Sequence, residues 1–183
     1  SSDLATIGRQ PCAIALARLA GAGNVVATDI NHEMLAIGAQ RLRQAGFPCP
    51  VVEADAEKLP FASNTFDVIT VSFGIRNMTH KDRALSEMLR VLRPGGRLLV
   101  LEFSRCSTWF KPIYDFYSFH FMPWMGGVIA GDKESYRYLA ESIRMHPDQS
   151  TFAGLMKDAG FEKVTWTNMT FGICALHIGY KPQ

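Results

Sequence analysis

No stretch of the 183-residue sequence reaches the roughly 20 apolar residues that a membrane span needs. The nearest, residues 116–130, is too short and carries His120 and Pro123. Cysteine is sparse. Cys12, Cys49, Cys106 and Cys174 lie far apart with no CxxC pair, so neither a zinc site nor a redox pair is signalled. A chain of this length with a real core needs no disulfide framework, and reduced thiols in the cytosol are the expectation. The formal net charge is only +2 and the basic residues form no block, so charge lends no support to a nucleic-acid partner. Repeats and low-complexity tracts are missing as well. The first residues, Ser1 to Ala5, have neither the basic start nor the apolar run of a secretory signal. Asp3-Leu4-Ala5 reads as the tail of a buried strand, which predicts a further segment before it.

What is present is an ordinary globular balance. At 48% hydrophobic and 20% charged, the chain can bury the core of one domain but has few residues for two. Strand and helix signals alternate over the first hundred residues. Residues 24–29 are a short β-branched run ending in an acid. Asn31 can cap a helix running to about Ala45, with Met34, Leu35, Gly38 and Leu42 near one face. Short strands are expected at residues 50–53 and 66–73. Thr79 and Asp82 stand at capping-box spacing before Leu85, Met88, Leu89 and Leu92. Pro94-Gly95-Gly96 predicts a turn. Residues 97–103 form a nearly continuous apolar strand of the kind buried on both faces. Such alternation implies a parallel sheet with helices on both sides. Residues 105–131 are crowded with aromatics, helices are expected over 132–145 and 148–159, and a terminal hairpin over 162–168 and 171–180.

Open parallel sheets bind ligands beyond the carboxyl ends of their strands, so the residues just after each strand carry the candidate chemistry. Asp29, closing the second strand, could accept both hydroxyls of a ribose, or could be a solvated loop acid. Asp55 and Ala56, in Ala54-Asp55-Ala56-Glu57, could read an adenine edge or form a surface turn. Ser72-Phe73-Gly74-Ile75-Arg76-Asn77 ends the fourth strand, where Gly74 permits close backbone approach. Arg76 and Asn77 are expected to point into the cleft mouth. The Gly95-Gly96 pair is a turn marker. His120 and Glu141 are weaker candidates, and His32, His80, His146 and His177 receive no functional assignment.

The order and spacing of these features resemble the class I methyltransferases. The strings DINHEML, DAEKLPF, SFGIRN, RVLRPGGRLLVLEFS and SYRYLAESIRMHPDQ, and the ending GFEKVTWTNMTFGICALHIGYK, resemble more specifically the ubiquinone/menaquinone biosynthesis C-methyltransferase family. The likeness runs over nearly the entire chain. It implies a Rossmann-like α/β fold, a seven-stranded, mostly parallel sheet with helices on both faces, in a single domain 1–183 with an aromatic lid at about 105–145. It implies S-adenosyl-L-methionine as cofactor, with Asp29 on the ribose, Asp55 and Ala56 on the adenine side, and Ser72 as a further contact. Arg76 and Asn77 match the polar pair facing the substrate. No metal is implied. The implied substrate is a polyprenyl quinol, with peripheral contact at the inner membrane face and either a homodimer or a quinone-biosynthesis complex as partners.

One departure stands out. The family's first loop has the form DLAxGTGD, and here the aligned stretch is Asp3 to Gln10, in which Gly8 is the only glycine. Ile7 and Arg9 add bulk where the family's backbone approaches the cofactor, which predicts weaker cofactor binding. It motivates an alternative reading, an impaired homologue serving as a scaffold subunit. A methyltransferase for another small aromatic is a third reading. A nicotinamide dehydrogenase is disfavoured, because no G-x-G-x-x-G follows the first strand.

Overall fold

The computed structural model describes residues 4–8, 10–105, 138 and 141–183. The aromatic segment from Trp109 to Trp124, His120 within it, and most of the helix expected over 132–145 lie outside the described residues. The alternating pattern becomes β1 (Leu4–Gly8), α1 (Gln10–Ala20), β2 (Val25–Asp29), α2 (His32–Gln44), β3 (Val51–Glu53), β4 (Phe66–Ser72), α3 (Lys81–Val91) and β5 (Leu92–Phe103). Beyond β5 come α4 (Gln149–Asp158) and a hairpin of β6 (Glu162–Met169) and β7 (Cys174–Tyr180).

The strands form one sheet in the order β3-β2-β1-β4-β5-β7-β6. The first five are parallel, and β7 runs antiparallel to both β5 and β6. This is the expected α/β architecture. Its two faces follow from side-chain alternation. Ile69 and Val71 of β4, with Leu98 and Val100 of β5, pack against Leu85 and Met88 of α3 and Phe152 and Met156 of α4. Thr70 points the other way, and the register through β1 aligns it with Ala27. There Ala27 meets Ala13 of α1 and Leu42 of α2, while Ala17 of α1 packs on Val25. The helices therefore cover both faces, and the strand order reverses between β1 and β4.

Local chemistry sets the element ends. The Asn31 side chain accepts the Met34 N–H at 3.0 Å, the cap expected for α2. Asp148 caps α4 in the same way through Thr151 N–H at 2.8 Å. The capping box at Thr79 does not form. The residue before α3 is His80, without a side-chain cap, and its N–H donates instead to Glu57 Oε1 at 2.8 Å. A carboxylate from the loop after β3 thus takes the place of a local one. The face of α2 also differs from the expected one. Gly38 and Leu42 are buried, but Met34 is 46% exposed.

The expected turn at Pro94-Gly95-Gly96 appears as an irregularity within β5. Phe66 pairs with Leu92 and Val68 with Arg97, so residues 93–96 stand opposite Asp67 alone. Arg93 Nη1 donates to Asp67 Oδ2 at 2.9 Å across this gap. Gly96 is required by space, since a Cβ there would lie 2.8 Å from Arg93 O and 3.0 Å from Asp67 O. Gly154 inside α4 has nothing within 4 Å of the equivalent position. Two alanine substitutions should therefore act with opposite sign in urea unfolding. Gly96→Ala should lower stability by about 1–3 kcal/mol, because two rigid carbonyls must move. Gly154→Ala should raise it by about 0.5–1 kcal/mol through helix propensity.

Candidate functional site

A cavity of about 460 Å³ opens beyond the carboxyl ends of β2, β3 and β4. It lies where reversal of strand order leaves a crevice in sheets of this kind. Asp29, Asp55, Ala56 and Ser72 line it together although they are scattered along the chain. Asn77 lines it as well. Gly8 is placed beside Ser72 by register, at the end of β1. One residue separates β1 from α1 in sequence.

The two acids are held by their own backbone. Asp29 Oδ1 accepts the Asn31 N–H at 2.9 Å, and Asp55 Oδ1 accepts the Glu57 N–H at 2.9 Å. These Asx-type turns fix each carboxylate's orientation. In each, the second oxygen has no hydrogen-bond donor among the described residues. The Ala54 N–H donates to Asp29 O at 3.0 Å and ties the end of β3 to that of β2. Two apolar side chains missed by the sequence reading, Ile30 and Met34, complete this wall while 66% and 46% exposed. Their signal was adjacency to Asp29. A carboxylate next to an open apolar wall suits a ligand with a sugar-like polar part and a flat apolar part.

The opposite wall is the turn after β4. Phe73, Gly74, Met78 and His80 face the cavity there. Phe73 has φ +55, a left-handed conformation that costs an ordinary residue roughly 1–2 kcal/mol. Its ring meets Phe103 with centroids 4.8 Å apart. Its carbonyl accepts from Arg76 Nη1 at 2.8 Å.

Arg76 departs from expectation. Its side chain does not line the cavity but turns back into the protein, only 6% exposed. Nη1 donates to Glu102 Oε1 at 2.7 Å, and the guanidinium lies 5.2 Å from the Phe103 ring centroid. The reason is Glu102, 1% exposed, whose charge would be costly without a cation. Asn77 remains at the cavity, where its Oδ1 stands 3.5 Å from the Tyr138 hydroxyl. Glu141 is exposed on the short helical stretch 141–145.

Two buried histidines flank the pair's side of the sheet. His177 lies opposite Val100, the residue two before Glu102, and its Nε2 is 3.0 Å from Gln149 O. Phe152 lies between the two imidazoles, at 4.9 Å from His177 and 5.4 Å from His146. Burial, and then the charges of Lys81, His177 and Arg76, push the His146 pKa down to about 4. Burial lowers that of His177 also, against a hydrogen bond to Gln149 that raises it. Among the described residues no group of three or more His, Cys, Asp and Glu side chains could hold a metal ion. No described helix is long and apolar enough to cross a membrane.

Comparison with known proteins resolves the family. Residues 3–181 match the model of the ubiE/COQ5 methyltransferase family. The chain belongs to that family. It is 56% identical over 175 residues to the ubiquinone/menaquinone biosynthesis C-methyltransferase UbiE of Bordetella parapertussis, covering 95% of this chain and 68% of the relative. With UbiE of Laribacter hongkongensis it shares 57% identity over 164 residues, 90% of this chain and 67% of that one. Among solved structures, a SAM-dependent methyltransferase from Aquifex aeolicus superposes with a TM-score of 0.68 at 16% identity, covering 98% of this chain and 81% of its own. The cyclase SpnF superposes with 0.74 at 18% identity, over 100% of this chain and 75% of its own. The fold is thus that of the class I methyltransferases. Since a cyclase shares it, the fold alone does not name the reaction.

The histidine pKa values fix a pH dependence of this family member's stability. A histidine with a lowered folded pKa binds protons only in the unfolded chain between the two values, so stability falls as pH drops from about 6.5 to about 4. His146 should contribute up to about 3 kcal/mol to that loss. Urea unfolding at pH 7 and pH 4.5 should show a smaller drop for His146→Leu than for the unmodified protein. An equal drop would remove His146 as its source.

Proposed function

We propose that the chain transfers a methyl group from S-adenosyl-L-methionine to a ring carbon of a polyprenylated benzoquinol or naphthoquinol. The support is membership in the ubiE/COQ5 family, relatives named for that C-methylation, and a cavity at the strand-order reversal. The observation that carries the cofactor reading is Asp29. It ends β2 on the cavity wall with one carboxylate oxygen engaged by Asn31 and the other left for a ligand diol.

The residues present fit such a cofactor. Asp29 would take the ribose hydroxyls, and Asp55 with Ala56 the adenine side. Ser72 and the backbone of Gly8 would meet the amino-acid end. When bound, the cofactor supplies an electrophilic methyl group on a sulfonium. The protein's part is to orient an aromatic ring beside that group, and positioning can provide much of the rate. A quinol hydroxyl has a pKa near 10, by analogy with tyrosine, and losing its proton enriches the adjacent carbon. Asn77, on the cavity wall, would hold the ring oxygen. Arg76 cannot take the proton, because a guanidinium stays protonated. A polyprenyl tail partitions into lipid, so the enzyme would meet this substrate at the membrane surface.

Calorimetric titration with S-adenosyl-L-methionine should show micromolar binding, weakened at least tenfold by Asp29→Ala, about 1.4 kcal/mol. A short-chain demethylquinol should then gain one methyl group, and Asn77→Ala should lower kcat by tenfold or more. Binding without transfer to any quinol would redirect the reading to another small aromatic. No binding at all would leave the scaffold alternative suggested by the Asp3–Gln10 loop.

A further inference from the structure

Glu102 is a buried carboxylate with three donors from two segments. Its Oε1 accepts from Arg76 Nη1 at 2.7 Å and from the Phe103 N–H at 2.9 Å, while its Oε2 accepts the Arg76 N–H at 3.2 Å. One side chain at the end of β5 therefore grips both the backbone and the guanidinium of a residue in the turn after β4. Arg76 passes the grip on, since the same Nη1 donates to Phe73 O at 2.8 Å. Lys81 Nζ adds a second tie, to Met78 O at 3.1 Å.

Space for the pair is built into the sheet. Glu102 stands opposite Ala175 on β7, a small, fully buried neighbour. The turn so gripped carries Phe73, Gly74 and Asn77, which form the cavity wall opposite Asp29 and Asp55. Phe73 sits there in a left-handed conformation that the chain would leave if it were free to. Arg76 Nε is buried without a hydrogen-bond partner, so the guanidinium is not held to satisfy all its donors. Its contacts are instead those that fix the turn.

We infer that Glu102 is a positioning residue, acting through Arg76 to hold the Phe73–Asn77 turn in the conformation that presents Asn77 to the substrate. It touches no ligand itself. The inference rests on the proposed methyl transfer for its kinetic consequence, but not for its structural one. A carboxylate serving stability alone would be replaceable, since exchanging a buried ion pair for apolar side chains of similar volume is often neutral or stabilising. A positioning carboxylate would not be.

The deciding variant is the double substitution Arg76→Met with Glu102→Leu, measured beside Glu102→Gln. Three readouts are taken: amide hydrogen exchange at Arg76 and Asn77, the Kd for S-adenosyl-L-methionine, and kcat. The expected result is a cooperative fold with exchange at both amides accelerated at least tenfold. Cofactor Kd should stay within threefold, because Asp29 and Asp55 lie on the other wall, and kcat should fall at least tenfold. Unchanged exchange in a folded variant would overturn the inference, whatever happens to kcat. So would unchanged kcat, or a Kd that weakens as much as kcat falls. Should the double variant not fold, Glu102→Gln is read by the same criteria. If the unmodified enzyme transfers no methyl to a quinol, the proposed function fails, and the exchange data still decide the role of Glu102.

Discussion

The reversal of strand order between β1 and β4 is the constraint on which the site depends. Strands added on one side of β1 carry their helices on one face, and those added from β4 onward carry theirs on the other. No helix can then close over the carboxyl ends of both neighbours at the point of reversal. The crevice that results gathers residues far apart in sequence, Asp29, Asp55, Ser72 and Asn77, around one cavity. Backbone turns rather than long side chains orient the two acids, and Ala54 and Ala56 on either side of Asp55 anchor that wall in the core.

The other wall is stabilised differently. Apolar packing cannot specify a turn containing Phe73 in a left-handed conformation, because several compact turns would bury the same rings. A buried carboxylate can, since an unpaired charge in the interior is costly and the observed turn supplies three donors to it. Two imidazoles pack around Phe152, and burial disfavours protonation of both, with the charges of Lys81 and Arg76 adding to the effect at His146 alone. Among the described residues, the buried Arg76–Glu102 pair thus lies near two histidines whose pKa values burial lowers. Acid would disturb that arrangement by charging the histidines before it reached the apolar core.

Fold and reaction are separate questions here. The sheet is shared with enzymes as different as a methyltransferase and a cyclase at below one-fifth identity. Identity above one-half over most of the chain, together with the family match, narrows the chemistry. The stretch Asp3 to Gln10, in which Gly8 is the only glycine, is where this sequence departs from the family's glycine-rich pattern.

Much of this was determined by local sequence. Alternating β-branched and amphipathic runs specified the elements, because side-chain period and secondary structure are coupled. Asn31 and Asp148 specified helix starts through bonds within three residues. The place of Asp29 and Asp55 on the cavity wall was legible, because strand ends in a parallel sheet have a known destination. Tertiary structure decided what depends on partners distant in the chain. The Thr79 cap yielded to Glu57, a residue from the loop after β3. Met34 left the core face for the cavity rim. Arg76 turned inward because Glu102, 26 residues later, needed a cation. Glu102 is the one acid in β5, a feature visible in the sequence. Its partner could be known only once β4 and β5 were side by side, since a buried charge chooses the nearest cation in space and not in sequence.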